Sequence, residues 1–272
     1  MKKPRLKKGL KWVLTVFIIY IAGGIFLYYF QDKLLFHPSV LPADYRYNFP
    51  IPFREINLAV TKEKNISIIQ FKVPDSICRG VVLYFHGNMQ NINRYAMFAT
   101  DITKNNYEVW MIDYPGFGKS TGKRSEKIIY EDAVKFYQMA RARFSPDSII
   151  LFGRSIGTGV ASYLASVRDC KLLILETPYY SLSALAKQYF FMYPVGAMSA
   201  YSFPVYQYFE NITIPIYIFH GTDDKVISHK NALRLKNLKK NYIELITIEN
   251  GKHNNLREFP IFRQKLDSIL NL

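Results

Sequence analysis

The sequence predicts an α/β domain, a mostly parallel sheet of about eight strands with helices on both faces, preceded by a transmembrane helix. Three observations carry that reading. An uncharged apolar run, "WVLTVFIIYIAGGIFLYYF" at residues 12–30, lies near the N-terminus. From Arg54 onward, short β-rich runs alternate with longer stretches of helical spacing. A long insert dense in Tyr and Phe, residues 178–210, interrupts that alternation late in the chain.

The first eleven residues carry Lys2, Lys3, Arg5, Lys7, Lys8 and Lys11. At about 1.5 Å per residue, a helix over 12–30 nearly spans a hydrocarbon core of about 30 Å. A cleaved signal peptide is the rival, but its apolar region is shorter, about 7–15 residues, and ends in an A-x-A-like site. Only Ala22-Gly23-Gly24 offers a place for such a cut. Positive flanks stay in the cytoplasm, so the reading places residues 1–11 inside and the large domain outside. Residues 31–53, rich in proline and aromatics, read as an extended connector to a domain over 54–272.

Within that domain "REINLAV" and "NISIIQFKV" read as paired early strands. "GVVLYF", "YEVWMID", "SIILFG", "KLLILE", "IPIYIF" and "YIELITI" read as the other six. Residues 91–104, "EKIIYEDAVKFYQMARARF", 155–167, 229–240 and 254–271 have helical spacing. The insert at 178–210 is too long for an ordinary connection, and Pro194 and Pro204 interrupt it, which suggests a cap over a pocket.

The formal charge of +15 suggests nucleic acid, but six of the positive charges precede residue 12 and the rest are scattered. No basic stripe with stacking aromatics is present, so an anionic membrane surface is the better partner for the excess. Cys78 and Cys170 are the only cysteines and sit beside apolar runs, which points to packing rather than zinc or a disulfide framework.

The chemistry converges on "LFGRSIGTGVAS", residues 151–162. Gly153, Ser155 and Gly157 form G-x-S-x-G between a strand and a helix, the turn that presents a nucleophilic serine. Gly157 and Gly159 also begin G-x-G-x-x-S, with Glu176 nineteen residues on, close to a dinucleotide-binding fingerprint. That fingerprint puts its glycines directly after the strand and usually opens the domain's first βαβ unit. Here Arg154 and Ser155 intervene and the motif comes late, so Gly159 is expected to serve helix–sheet packing and Glu176 to end the next strand.

A serine nucleophile on such a sheet needs a later acid, then a histidine. Asp224 in "HGTDDKV" follows a strand, with Asp223 beside it, and spacing alone leaves either as the acid. His253 in "IENGKHNNL" follows the last strand and is the expected base. His86 and His220 each precede a glycine at a strand end and read as turn-packing residues. The oxyanion needs backbone N–H donors: Ile156 supplies one, and "HGNMQN" the other, from Asn88 first or Met89 second. The Asn88 side chain is also a candidate cap for the helix that follows.

In their order, "YFHGN", "DYPGFGKSTG", "GRSIGTG", "ETPYYSL", "HGTDDKVI" and "GKHNNL" resemble the α/β-hydrolase-fold serine hydrolases. "DKLLFHP" after an apolar anchor is similar to that family's single-pass, membrane-anchored subgroup. The resemblance implies a Ser155, Asp224, His253 triad, Asn88 at the oxyanion position, and cleavage of esters, thioesters or lipids. It implies no cofactor or metal, and a structural part for "DYPGFG". A peptidase of the same fold and a silent, membrane-tethered binding protein are the competing functions.

Overall fold

The computed structural model describes residues 4–239 and 241–272. Residues 1–3, with Lys2 and Lys3 of the expected cytoplasmic end, lie outside the described residues, as does residue 240 at the end of the predicted helix 229–240.

The eight expected strands form one sheet: β1 (Phe53–Ala59), β2 (Asn65–Phe71), β3 (Gly80–Phe85), β4 (Tyr107–Ile112), β5 (Ile149–Arg154), β6 (Leu172–Glu176), β7 (Ile216–Gly221) and β8 (Ile243–Ile248). Their spatial order is β8-β7-β6-β5-β3-β4-β2-β1, with only the pairings of β2 to β1 and to β4 antiparallel. Every residue of β3, β4, β5 and β6 is buried, as strands covered on both faces must be.

Alternation along β3 divides the core in two. Val81, Leu83 and Phe85 face one side, packing with α2 (Glu126–Arg141) and α3 (Gly157–Val167). Val82 and Tyr84 face the other, packing with residues 92–102 and the closing helix. Each large apolar side chain so buried contributes about 1.5–3 kcal/mol.

Helix ends follow local chemistry. Ser125 caps α2 by accepting from Ile128 N–H, and Ser181 caps α4 (Leu182–Tyr189) by accepting from Ala184 N–H. The helix predicted at 229–240 is α5 (Lys230–Leu238). The closing helix is α6 (Pro260–Leu270), which starts at a proline, where a missing N–H costs nothing. The stretch predicted as one helix at 91–104 is instead two short helices joined by a 3₁₀ turn.

The N-terminal helix α1 runs Pro4–Leu35, so the first residues of the expected connector are helical. Within it, Lys8–Leu35 is long and apolar enough to cross a membrane, and none of its most apolar window is buried. The rest of the connector is not free-standing. His37–Pro38 pairs in parallel with Met89–Gln90, just past β3, and Leu41 N–H donates to Gly118 O (2.8 Å). Phe36, only 2% exposed, seats this junction against Phe117 and Tyr201.

The strand order reverses at β3, where the chain goes out to β4 and returns on the other side as β5. The crevice past the carboxyl ends at such a switch point is where open α/β sheets hold ligands.

Candidate active site

β5 ends at Arg154, and Ser155 follows with φ of +52°, in the left-handed region. A right-handed helix cannot contain that residue, so α3 starts at Gly157 rather than at Ser155 as its spacing suggested. The turn is pinned on both sides. Ser155 N–H donates to Glu176 O (2.9 Å), while Thr158 N–H and Oγ1 both donate to Ser155 O (3.0 and 2.6 Å). A Cβ at Gly153 would sit 2.5 Å from Gly157 O, and one at Gly157 would run into the Phe85 carbonyl at the end of β3. Glycine is required at both positions for that reason.

Two other strand ends bring His253 and Asp224 to Ser155. His253, in the loop past β8, lies with Nε2 3.1 Å from Ser155 Oγ. Its Nδ1 lies 2.8 Å from Asp224 Oδ2, past β7. A carboxylate only accepts, so Nδ1–H donates to Asp224 and Nε2 is left to accept the serine proton. The two adjacent aspartates have different partners. Asp223 is tied through its backbone N–H to Gly251 O (2.9 Å), and Asp224 meets His253.

Asp224 is buried, and its second oxygen accepts from Val226 N–H and Ile227 N–H (both 2.8 Å). Burial by itself raises its pKa, but hydrogen bonds from His220, His253 and Ile227 N–H outweigh it. Together they hold the carboxyl well below the usual carboxylate range.

Asn88 and Ile156 line the same cavity as Ser155, and among the described residues neither backbone N–H has a protein acceptor. Ile156 also opens the N-terminal end of α3, where the helix dipole favours negative charge. Met89, the second candidate donor, lines the same cavity. The Asn88 side chain does not cap a helix: Nδ2 donates to Leu35 O (2.6 Å), and Asn91 is the cap.

The cavity measures about 560 Å³ and its wall is largely apolar. Segment 178–210 supplies Leu182, Leu185, Tyr189, Phe190 and Met198 to it, as a cap would. "DYPGFG" does not reach the cavity; its Asp113 is buried against His86 Nε2 (3.2 Å) and Ile92 N–H (3.0 Å). Gly159 packs against Tyr179 and Phe203 of the cap segment rather than against the sheet. Cys78 and Cys170 are both free, and burial pushes the Cys170 thiol up to about 12.

An esterase of Pyrococcus furiosus superposes with a TM-score of 0.66 over 87% of this chain and 97% of that one, at 18% identity. An alpha-beta hydrolase of Vibrio vulnificus superposes at 0.65 over 80% of each chain, at 18% identity. The chain is an α/β-hydrolase-fold protein. A family described as Serine aminopeptidase, S33, matches residues 76–205, a segment that holds Ser155 but ends before Asp224 and His253. Alpha/beta hydrolase domain-containing protein 17C of Xenopus tropicalis is 30% identical over 201 residues, 71% of this chain and 62% of that protein. The chain thus spans less than two thirds of that relative's length.

Two features of the candidate site were not expected from the sequence. His220 is more than turn packing: its Nε2 lies 2.7 Å from Ile227 O and 3.4 Å from Asp224 Oδ2, bracing the acid from behind. Arg154 and Glu176 are paired in register on β5 and β6 and form a buried ion pair at 3.1 Å. The Arg154 guanidinium also donates to Asn254 Oδ1 (3.2 Å), tying the elbow to the histidine loop. The available signal was a charge ending each of two otherwise apolar strands.

Because the Asp224 pKa is depressed on folding, its contribution to stability is fully present above the unfolded value of about 3.9. It is lost as pH falls through the lower folded value. Asp224→Asn is therefore expected to melt about 3–8 °C below wild type at pH 7. Thermal unfolding followed from neutral to strongly acid pH should show that gap closing at the acid end; a constant gap contradicts the assignment.

Proposed function

We propose that the chain is a membrane-anchored serine hydrolase that cleaves an acyl ester or thioester of an apolar or lipid-like substrate. The observation that carries this is the hydrogen-bonded line Ser155–His253–Asp224, with the serine held on a strained turn in the wall of an apolar cavity.

His253 Nε2 takes the Ser155 proton as Oγ bonds to the substrate carbonyl carbon. Asp224 holds the ring in the tautomer that makes this possible and stabilises the imidazolium. The negative charge on the former carbonyl oxygen is met by Asn88 and Ile156 N–H. Collapse breaks the carbon–oxygen or carbon–sulfur bond, and His253 gives its proton to the departing alcohol or thiol. Water then adds to the acyl-enzyme with His253 as base, releasing the carboxylic acid and restoring Ser155. Every proton is moved by His253, so the scheme calls for no cofactor.

A peptidase of the same fold is the alternative, and the matched family's name points to an aminopeptidase, but the cavity wall argues for an acyl chain. A free amino terminus calls for a carboxylate to hold it. The wall carries Arg94, Arg154 and His253 and, among the described residues, no Asp or Glu.

The anchor reading rests on α1, in which Lys8–Leu35 is long and apolar enough to cross a membrane, and on the basic residues that precede the apolar run. By the charge rule the N-terminus faces the cytoplasm and the catalytic domain the other side.

A fluorophosphonate probe should label Ser155 in the full chain. Ser155→Ala should abolish labelling, and His253→Ala should slow it on the order of 10³-fold or more. A folded wild-type chain that does not label would mark a silent binding protein instead. For topology, protease added to intact cells should digest the large domain; full protection reverses the orientation.

A further inference from the structure

The geometry points to α1 as part of the substrate site: its C-terminal half forms one wall of the acyl pocket and sets the chain length accepted. This deepens the hydrolase reading and rests on it.

Leu27, Gln31, Leu34 and Leu35 of α1 line the same cavity as Ser155 and His253. Leu35 marks the catalytic end, since its carbonyl accepts from the side chain of Asn88 (2.6 Å), which lines the cavity beside Ser155. Leu27 lies two turns earlier, about 12 Å along the helix axis. A short acyl group on Ser155 therefore stays near Leu35, and only a long one runs down to Leu27.

A wall must be fixed to act as a ruler, and α1 is fastened to the cap at three levels. Near the catalytic end, Asp32 accepts from Tyr201 Oη (2.7 Å) and pairs with Arg124 (2.7 Å). One residue earlier, Gln31 donates to Met198 O (3.3 Å) and accepts from Ala200 N–H (2.7 Å). Beyond Leu27, Tyr20 and Tyr193 stack at 4.7 Å, each hydroxyl donating to a carbonyl across the seam.

The occupant is an acyl chain for two reasons. Ser155 itself lines the cavity, and most of the other lining side chains are aliphatic or aromatic. Leu27 also belongs to the uncharged run 12–30, so with α1 across a bilayer the far end of the pocket stands at the depth of lipid tails.

The test uses the full chain in detergent micelles with p-nitrophenyl esters of two to sixteen carbons. Leu27→Trp, which fills the far end, is expected to lower the ratio of long-chain to short-chain kcat/KM at least tenfold. Ile25→Trp, on an exposed position that does not line the cavity, is expected to leave the ratio within twofold. No change in the ratio for Leu27→Trp, or the same change for both, overturns the inference. Labelling by a short-chain fluorophosphonate checks that the site is assembled. Should Leu27→Trp fail to label, Leu27→Ala replaces it and is expected to raise the longest chain accepted; an unchanged limit overturns the inference. A wild-type chain that neither labels nor turns over any ester fails the hydrolase reading itself, and this inference with it.

Discussion

A serine held at φ of +52° stores backbone strain of about 1–3 kcal/mol, so the surrounding packing has to hold it in place. Here that packing is backbone against backbone. β5 meets the start of α3, and the start of α3 meets the carbonyl end of β3, so closely that Gly153 and Gly157 have room for hydrogen alone. Ser155 N–H is tied to β6, and its carbonyl is held by Thr158. The rest of the site is arranged around the position this turn fixes. Asp224 and His253 arrive from β7 and β8, the two strands beyond β6, and the "HGN" loop arrives from β3 on the other side.

The parallel sheet makes that convergence possible, because strands running the same way deliver their loops to one edge. The supporting charges lie just behind that edge. Arg154 and Glu176 link the elbow to Asn254, next to His253, while His220 and two backbone amides surround Asp224. Paired charges of this kind hold orientation, which is what a proton relay needs from its surroundings. Segment 178–210 and α1 supply most of the cavity's apolar side chains, while Ser155 and His253 come from the strand-end loops.

Much of this was legible in the sequence because it rests on local rules. Strand and helix periods located the eight strands, and a serine between two glycines at a strand end marked the elbow. Spacing did not separate Asp223 from Asp224, because adjacent loop residues differ in direction rather than in chemistry; the resemblance pointed to Asp224, and in the fold Asp224 faces His253. His220 escaped because a histidine inside a strand looks the same whether it fills space or braces an acid. The part played by α1 was hidden for a different reason. Its apolar residues run all round the helix, so no periodicity sets Leu27 and Leu34 apart from neighbours that face outward.

The central claim is that Ser155 carries the acyl group during turnover. Acid quenching of the full chain while it hydrolyses a chromogenic ester, followed by peptide mass mapping, tests it directly. One acyl increment is expected on the peptide containing Ser155, with a decay rate no slower than turnover. Turnover with no increment there, or with the acyl group on another residue, would contradict it.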